Sequence, residues 1–332
     1  MKTIFLVTGA AGHLGNAIVK KLIEQGQAVR ALVYEEDETN GIFDPQVEVF
    51  VGDVTDEQSL RPFFDVHESG SVKVIHCAGI ISIASRTQKR MHETNVEGTK
   101  NIIALCQEYA VDKLVYVSSV HAIPELPHGE MIIETKSINP DLVVGPYAKT
   151  KAEATVAVLK AAEARLDASV VHPTGIMGPF DYGAGHVNQM LRDFYAGRLF
   201  AGVRGGYDFV DVRDVAQGTI NATTLGRKGE TYLLSNRYFT VAELLELFHQ
   251  VTGRPRVKTM LPLWFAKLTA PLSELYYKIL KRPPLYTSYS LYTLSTNAEF
   301  SNLKAKRELN YTTRNMEETI ADTIRWFKEQ GM

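Results

Sequence analysis

Cysteine is scarce. Cys77 and Cys106 are the only two among 332 residues. One sits in an apolar run, Val74-Ile75-His76-Cys77-Ala78, and the other in a helical pattern. That placement suits neither a metal-ligand set nor a redox pair, so both read as packing thiols in a reducing compartment, and no metal is expected. Long hydrophobic runs are missing too. The first one, Ile4-Phe5-Leu6-Val7, is too short for a signal peptide and leads straight into glycines. The most lipophilic later stretch, Pro262–Leu280, is interrupted by Lys267, Pro271, Glu274 and Lys278, which excludes a spanning helix. A cytoplasmic chain with no membrane contact is therefore expected. Nor does charge of one sign accumulate. With 36 Lys and Arg against 38 Asp and Glu the net charge is −2, and no basic run stands out. Nothing in that balance attracts nucleic acid. Internal repeats and low-complexity segments are absent.

What is present is an ordinary globular composition, 45% hydrophobic and 22% charged, long enough for one large unit or two packed ones. Short apolar runs rich in branched residues predict strands at Thr3–Thr8, Ala28–Val33, Val47–Gly52, Val72–Cys77, Leu114–Ser118 and Ala168–His172. Amphipathic stretches between them predict helices at Gly12–Gln25, Asp56–Asp65, Met91–Tyr109 and Tyr147–Ala164. Such alternation implies an α/β chain whose parallel sheet is doubly wound, covered by helices on both faces, with ligands bound at the carboxyl ends of the strands. After Gly178-Pro179 the pattern loosens. Val210–Leu225 and Thr231–Ser235 are expected to return to the sheet. Thr240–Gly253 reads as a helix whose Thr240 and Glu243 form a capping box, and Met316–Gln330 as the last helix. The expected division is residues 1–178 plus 206–235 as a dinucleotide-binding unit, and 179–205 plus 236–332 as a smaller substrate-binding lid.

The glycines of Thr8-Gly9-Ala10-Ala11-Gly12-His13-Leu14-Gly15 follow a strand and open a helix. Gly9 permits a tight turn, Gly12 lets backbone approach a pyrophosphate, and Gly15 lets helix pack on strand. The helix N-terminus, with His13 and Leu14 in its first turn, offers free N–H groups to the phosphates. The competing reading is a glycine-rich turn that binds nothing. The next strand ends in Tyr34-Glu35-Glu36-Asp37 with no base close behind, which would repel a 2′-phosphate. NAD(P)(H) is thus the expected cofactor, with a lean to NAD(H), unless these acids form only a solvated loop. Asp53 and Val54 stand where adenine should lie, although Asp53 would serve equally as a cap for the helix near Asp56. Ala78 and Gly79 are small where the cofactor must pass close to backbone.

Tyr147 and Lys151 are four residues apart, on one face of a helix. A free phenol, with pKa near ~10, is a poor acid–base group at neutrality. A neighbouring ammonium favours the phenolate, and Tyr147 would then exchange a proton with a carbonyl or alcohol oxygen. Tyr-x-x-x-Lys pairs are also common on surfaces. Ser119, at the end of the strand-like Val115-Tyr116-Val117-Ser118-Ser119, would bond the same oxygen. No G-x-S-x-G elbow marks it as a hydrolase nucleophile. His121, two residues on, reads as a loop residue rather than a base.

Taken with Asn95-Val96-Glu97-Gly98-Thr99, His172-Pro173-Thr174-Gly175, Phe209-Val210-Asp211-Val212-Arg213-Asp214 and Lys304-Ala305-Lys306-Arg307-Glu308-Leu309-Asn310-Tyr311, these motifs resemble the extended short-chain dehydrogenase/reductases, in the NAD-dependent epimerase/dehydratase group. The likeness covers nearly the whole chain. It implies a Rossmann fold, a catalytic Ser119, Tyr147 and Lys151, and a cofactor lined by Gly9, Gly12, Gly15, Asp53, Val54, Ala78 and Gly79, with Pro173 in the loop over the nicotinamide. It implies a small-molecule substrate and, in many members, a homodimer. Three departures count against sugar-nucleotide chemistry: Ile123-Pro124 in place of Tyr-Gly, Gly175 in place of Asn, and Val120-His121 in place of Asp-Glu. They point to the branch similar to dihydroflavonol reductases and 3β-hydroxysteroid dehydrogenases. The apolar and aromatic Trp264, Phe265, Tyr276 and Tyr277 suit a hydrophobic substrate, or else ordinary core packing. A sugar-nucleotide epimerase with retained NAD is the alternative enzyme, and a cofactor-sensing regulator the alternative of another class.

Overall fold

Branched apolar residues fill most of the first six strands: β1 (Lys2–Thr8), β2 (Ala28–Val33), β3 (Glu48–Val51), β4 (Gly70–His76), β5 (Lys113–Val117) and β6 (Ala168–Pro173). Shorter ones follow: β7 (Gly175–Met177), β8 (Ala201–Val203), β9 (Gly206–Asp211), β10 (Thr231–Leu234), β11 (Arg237–Thr240) and β12 (Thr259–Leu261). The structure is a computed structural model that describes residues 2–35, 37, 41–66, 70–81, 89–183, 185–270 and 288–331. Seven strands form one sheet in the order β10-β6-β5-β4-β1-β2-β3, and every pairing in it is parallel. This is the doubly wound, Rossmann-type sheet that the sequence implies. The order reverses between β1 and β4, and that switch point opens a crevice at their carboxyl ends.

Parallel strands need crossovers, and helices supply them. They are α1 (His13–Glu24), α2 (Glu57–Phe64), α3 (Lys89–His92), α4 (Gly98–Glu108), α5 (Pro146–Ala164), α6 (His186–Tyr195), α7 (Val212–Leu225) and α8 (Val241–Thr252). The single helix expected over Met91–Tyr109 is interrupted by a π turn at Glu93–Glu97. Leu60, Phe63, Ile102, Leu105 and Val158 bury one face of the sheet under α2, α4 and α5. Ile18, Leu22, Val215 and Ile220 bury the other under α1 and α7. Each such side chain contributes roughly 1.5–3 kcal/mol of hydrophobic stabilisation.

The stretch Val210–Leu225 does not return to the large sheet. Its first two residues end β9, which lies between β7 and β11 in a separate three-stranded sheet. Asp211 then caps α7 by accepting from the Arg213 N–H, and the rest is helix. Only Thr231–Leu234 rejoins the main sheet, beside β6. A third core of Phe239, Leu244, Phe248, Ile320 and Phe327 lies against the small sheet. Half of the expected capping box forms at α8. Thr240 accepts from the Glu243 N–H, while the Glu243 carboxylate pairs with Arg237 instead. No helix among the described residues is long and apolar enough to cross a membrane.

Candidate active site

The crevice is built by hydroxyls and an imidazole inside the sheet. His76, at the end of β4, joins the Thr8 hydroxyl through Nδ1 at 2.7 Å and the Thr99 hydroxyl through Nε2 at 3.0 Å. Burial pushes its pKa down to about 3, so the ring is neutral and serves as a strut between β1, β4 and α4. Thr8 also accepts from the Ala78 N–H at 3.2 Å, which draws the two loops together. Gly9 has φ +64°, and a Cβ there would stand 2.6 Å from the Ala78 nitrogen. Gly15 is pressed so closely on the Gly9 carbonyl that no side chain fits. Gly12 is different. Its Cβ would meet only the Gly9 oxygen, at 3.2 Å, so packing alone does not require the glycine. No side chain caps α1 and no acid stands in its first turn. The N–H groups there, at His13, Leu14 and Gly15, stay open to a diphosphate, and the crevice fits a dinucleotide. Leu14 itself packs in the core, and His13 Nε2 bonds the Pro179 carbonyl at 3.0 Å.

Asp53 uses one carboxylate oxygen on the Thr55 N–H at 2.8 Å, while Asp56 caps α2. Val54 is buried against Gly98 of α4. Beyond β2, Glu35 is exposed and Asp37 turns back to accept from the Tyr34 N–H at 2.7 Å. Glu36 lies outside the described residues. A base does reach this end of the sheet, although none follows β2 in sequence. The Arg90 guanidinium sits 4.9 Å over the Tyr34 ring, brought there by α3.

Ser119, Tyr147 and Lys151 come together at the carboxyl end of β5. Ser118 is tied to Thr155 at 2.7 Å, which docks β5 on α5, and the next residue, Ser119, is left for the cleft. Pro146 opens α5 after Gly145 at φ +100°, so Tyr147 stands in the first turn of the helix. All three side chains are buried, at 7%, 8% and 5% exposure. The Lys151 ammonium donates to the Val117 carbonyl at 2.7 Å and lies 4.6 Å over the Tyr116 ring. Burial lowers its pKa to about 7. Burial also raises the Tyr147 phenol to about 12, with the Ser119 side chain pulling the other way. The sequence reading has Lys151 pulling the phenol down; desolvation by burial instead dominates both groups. Pro173 is buried at the end of β6, and His172 Nδ1 bonds the Ser119 carbonyl at 2.9 Å. Asn95, in the π turn, accepts from the Ile80 N–H at 2.7 Å and donates to Thr150 at 3.0 Å, clamping the loop after Gly79 to α5.

Around His121, a neighbour of Tyr147, lies a narrow cleft lined by Val120, His121, Ile123, Ile132, Val143, Val144, Tyr207 and Phe300, with Glu125, Thr296 and Asn297 also on its wall. Among the described residues no lysine or arginine lines it. His121, read from sequence as a loop residue, belongs to this wall. It stacks on Tyr207 at 5.7 Å, joins the Tyr207 hydroxyl at 3.1 Å, and meets the edge of Tyr147 at 6.2 Å. Sequence reasoning missed Tyr207 and also Tyr289, whose ring is 6.0 Å from His121. Neither has a local motif, because each reaches the cleft from a distant element. Trp264 and Phe265 are not in it. They are 68% and 40% exposed, and Tyr276 and Tyr277 lie outside the described residues.

Residues 5–235 match the family described as NAD dependent epimerase/dehydratase. The chain belongs to that family. Its members use NAD and act on small molecules, and this epimerase/dehydratase-family chain has relatives of full length. It is 30% identical to sterol demethylase protein B of Methylococcus capsulatus, over 98% of this chain and 99% of that one. It is 28% identical to a putative dihydroflavonol 4-reductase of Synechocystis, over 100% and 96%. It is 30% identical to 3 beta-hydroxysteroid dehydrogenase type 7 of Mus musculus, over 97% and 95%.

Proposed function

We propose that the chain is an NAD(P)-dependent oxidoreductase that moves a hydride between the nicotinamide and a carbonyl or secondary alcohol of a neutral, largely apolar substrate. The observation that carries this is the meeting of Ser119, Tyr147 and Lys151 near a cleft lined by no lysine or arginine among the described residues. When bound, the cofactor supplies or accepts the hydride. The Tyr147 hydroxyl gives a proton to the carbonyl oxygen in reduction and takes one from the alcohol in oxidation. The Ser119 hydroxyl donates to that same oxygen and fixes its direction. Lys151, while protonated, lowers the cost of the phenolate in a site where burial opposes it. Relatives named as a reductase and a dehydrogenase support the reading.

Tyr147→Phe is the test. Turnover of a ketone and aldehyde panel is expected to fall about a hundredfold to ten-thousandfold, while NADH affinity, read by fluorescence titration, stays nearly constant. Near-full activity would remove Tyr147 from its role. A sugar-nucleotide epimerase would need a seat for a diphosphate, and Glu125, in a wall with no lysine or arginine among the described residues, opposes one. Tightly retained NAD with no net reduction on turnover would favour that reading instead. A cofactor sensor has no use for the assembled Ser119, Tyr147 and Lys151.

A further inference from the structure

Tyr289 has no part in the chemistry just described, yet it stands beside it. It lies in the helix Ser288–Thr293 and is 8% exposed. Its hydroxyl is buried without a hydrogen-bond partner among the described residues. A buried O–H left unpaired costs about 1–3 kcal/mol, so other contacts must hold the ring in place. Two do. The ring lies on Gly145, immediately before Pro146 and Tyr147, so closely that a Cβ there would overlap it. It also stacks on Tyr292 at 6.5 Å and 22°, and the Tyr292 hydroxyl donates to Glu125 at 2.8 Å. Of these two neighbouring phenols, one is satisfied and the other is not.

The unsatisfied one belongs to a ring close to the catalytic residues. Tyr147 and Tyr289 flank the same imidazole, His121, at 6.2 and 6.0 Å between ring centres. His121 Nε2 is already taken by the Tyr207 hydroxyl at 3.1 Å. Both phenols thus neighbour a ring that lines the cleft, and of the two only Tyr147 has a role in the chemistry.

We propose that Tyr289 is a substrate-binding residue whose hydroxyl bonds a second oxygen on the substrate, near the reacting one. This rests on the reading that Tyr147 handles the reacting oxygen. The second group is a hydroxyl or carbonyl rather than a carboxylate, because among the described residues the cleft is lined by the Glu125 carboxylate and by no lysine or arginine. Specificity thus comes from a helix far along the chain, seated on the glycine that opens α5.

The test uses the full-length protein with NAD+ and two matched pairs of probes, acetoin against butanone and benzoin against deoxybenzoin. Binding is read as ligand-dependent thermal stabilisation, which needs no turnover. Wild type is expected to bind the hydroxylated member of at least one pair roughly two- to tenfold more tightly, the range of one neutral hydrogen bond. Tyr289→Phe is expected to lose that preference while its own melting temperature stays level or rises, since an unpaired hydroxyl has been removed. No preference in wild type for either pair, a preference kept by the variant, or a melting temperature several degrees lower would each overturn the proposal. Tyr147→Phe separates the two ideas: it should stop NADH oxidation and keep the binding preference. If wild type shows the preference but oxidises no NADH with any ketone, the hydride-transfer reading fails and the Tyr289 contact stands.

Discussion

Lys151 illustrates how function is set against stability in one side chain. Its pKa of about 7 in the folded protein lies below the unfolded value near ~10.4. Between those limits the unfolded chain holds a proton that the native one has released, so this group makes stability rise with pH from about 7 upward. Lys151→Met is expected to be inactive, yet more stable than the parent below neutrality by about 1–3 kcal/mol, an advantage that shrinks as pH rises. Melting curves at about pH 6 and about pH 9 would check it; a variant less stable at both would contradict it. The glycines separate in the same manner. Gly9→Ala forces a side chain into the Ala78 backbone at φ +64° and is expected to cost more than about 2 kcal/mol. Gly12→Ala meets one oxygen only, so it should melt close to the parent and lose NADH affinity. The sequence reading gives the three glycines different roles by their place in the motif, but not what a side chain at each would cost. Which serves the fold and which the ligand depends on what lies opposite each, and that is tertiary information.

At the scale of elements, strands were legible because each buried one is a nearly unbroken apolar run. Breaks in rhythm were not. Nothing in Met91–Tyr109 announces the π turn, because the apolar spacing continues across it, yet the turn places Asn95 against both Ile80 and Thr150. Asn95→Ala is expected to lower stability by about 2–3 kcal/mol and to weaken NADH binding, since the loop after Gly79 loses its tether. Unaltered affinity in a titration would restrict Asn95 to the fold. The stretch Val210–Leu225 was misread: only Val210 and Asp211 are strand, at the end of β9 beside β7 and β11, and the rest is α7. Ser119, Tyr147 and Lys151 could be singled out because they lie on two neighbouring elements at a recognisable spacing. His121, Tyr207 and Tyr289 come from a short turn, a small sheet and a late helix, and no spacing links them.

Across the whole molecule, charges fasten the C-terminal helix Met316–Glu329 to the centre. Arg213 pairs with Asp211 at 2.7 Å and with Asp322 of that helix at 2.6 Å, and Arg314 reaches Asp214 at 2.9 Å. Burial alone would raise the Asp211 carboxyl, but Arg213 and Arg314 hold it below its usual value. Its stabilisation is therefore complete above the unfolded value near ~3.9 and disappears as pH falls through the native one. Asp211→Asn is expected to cost about 3 kcal/mol near neutrality and to flatten the acid limb of a plot of melting temperature against pH. An acid limb equal to the parent's would show that the carboxylate carries little of it. The sheet order has its own consequence for synthesis. As the chain leaves the ribosome, β1 to β6 can all pair before Thr231–Leu234 has been made. Until then the outer side of β6, whose six residues are all buried in the finished protein, is an open edge. A nascent chain paused in that interval offers a ready template for another copy. Chaperone demand and aggregation should therefore peak there, between the synthesis of β6 and that of β10.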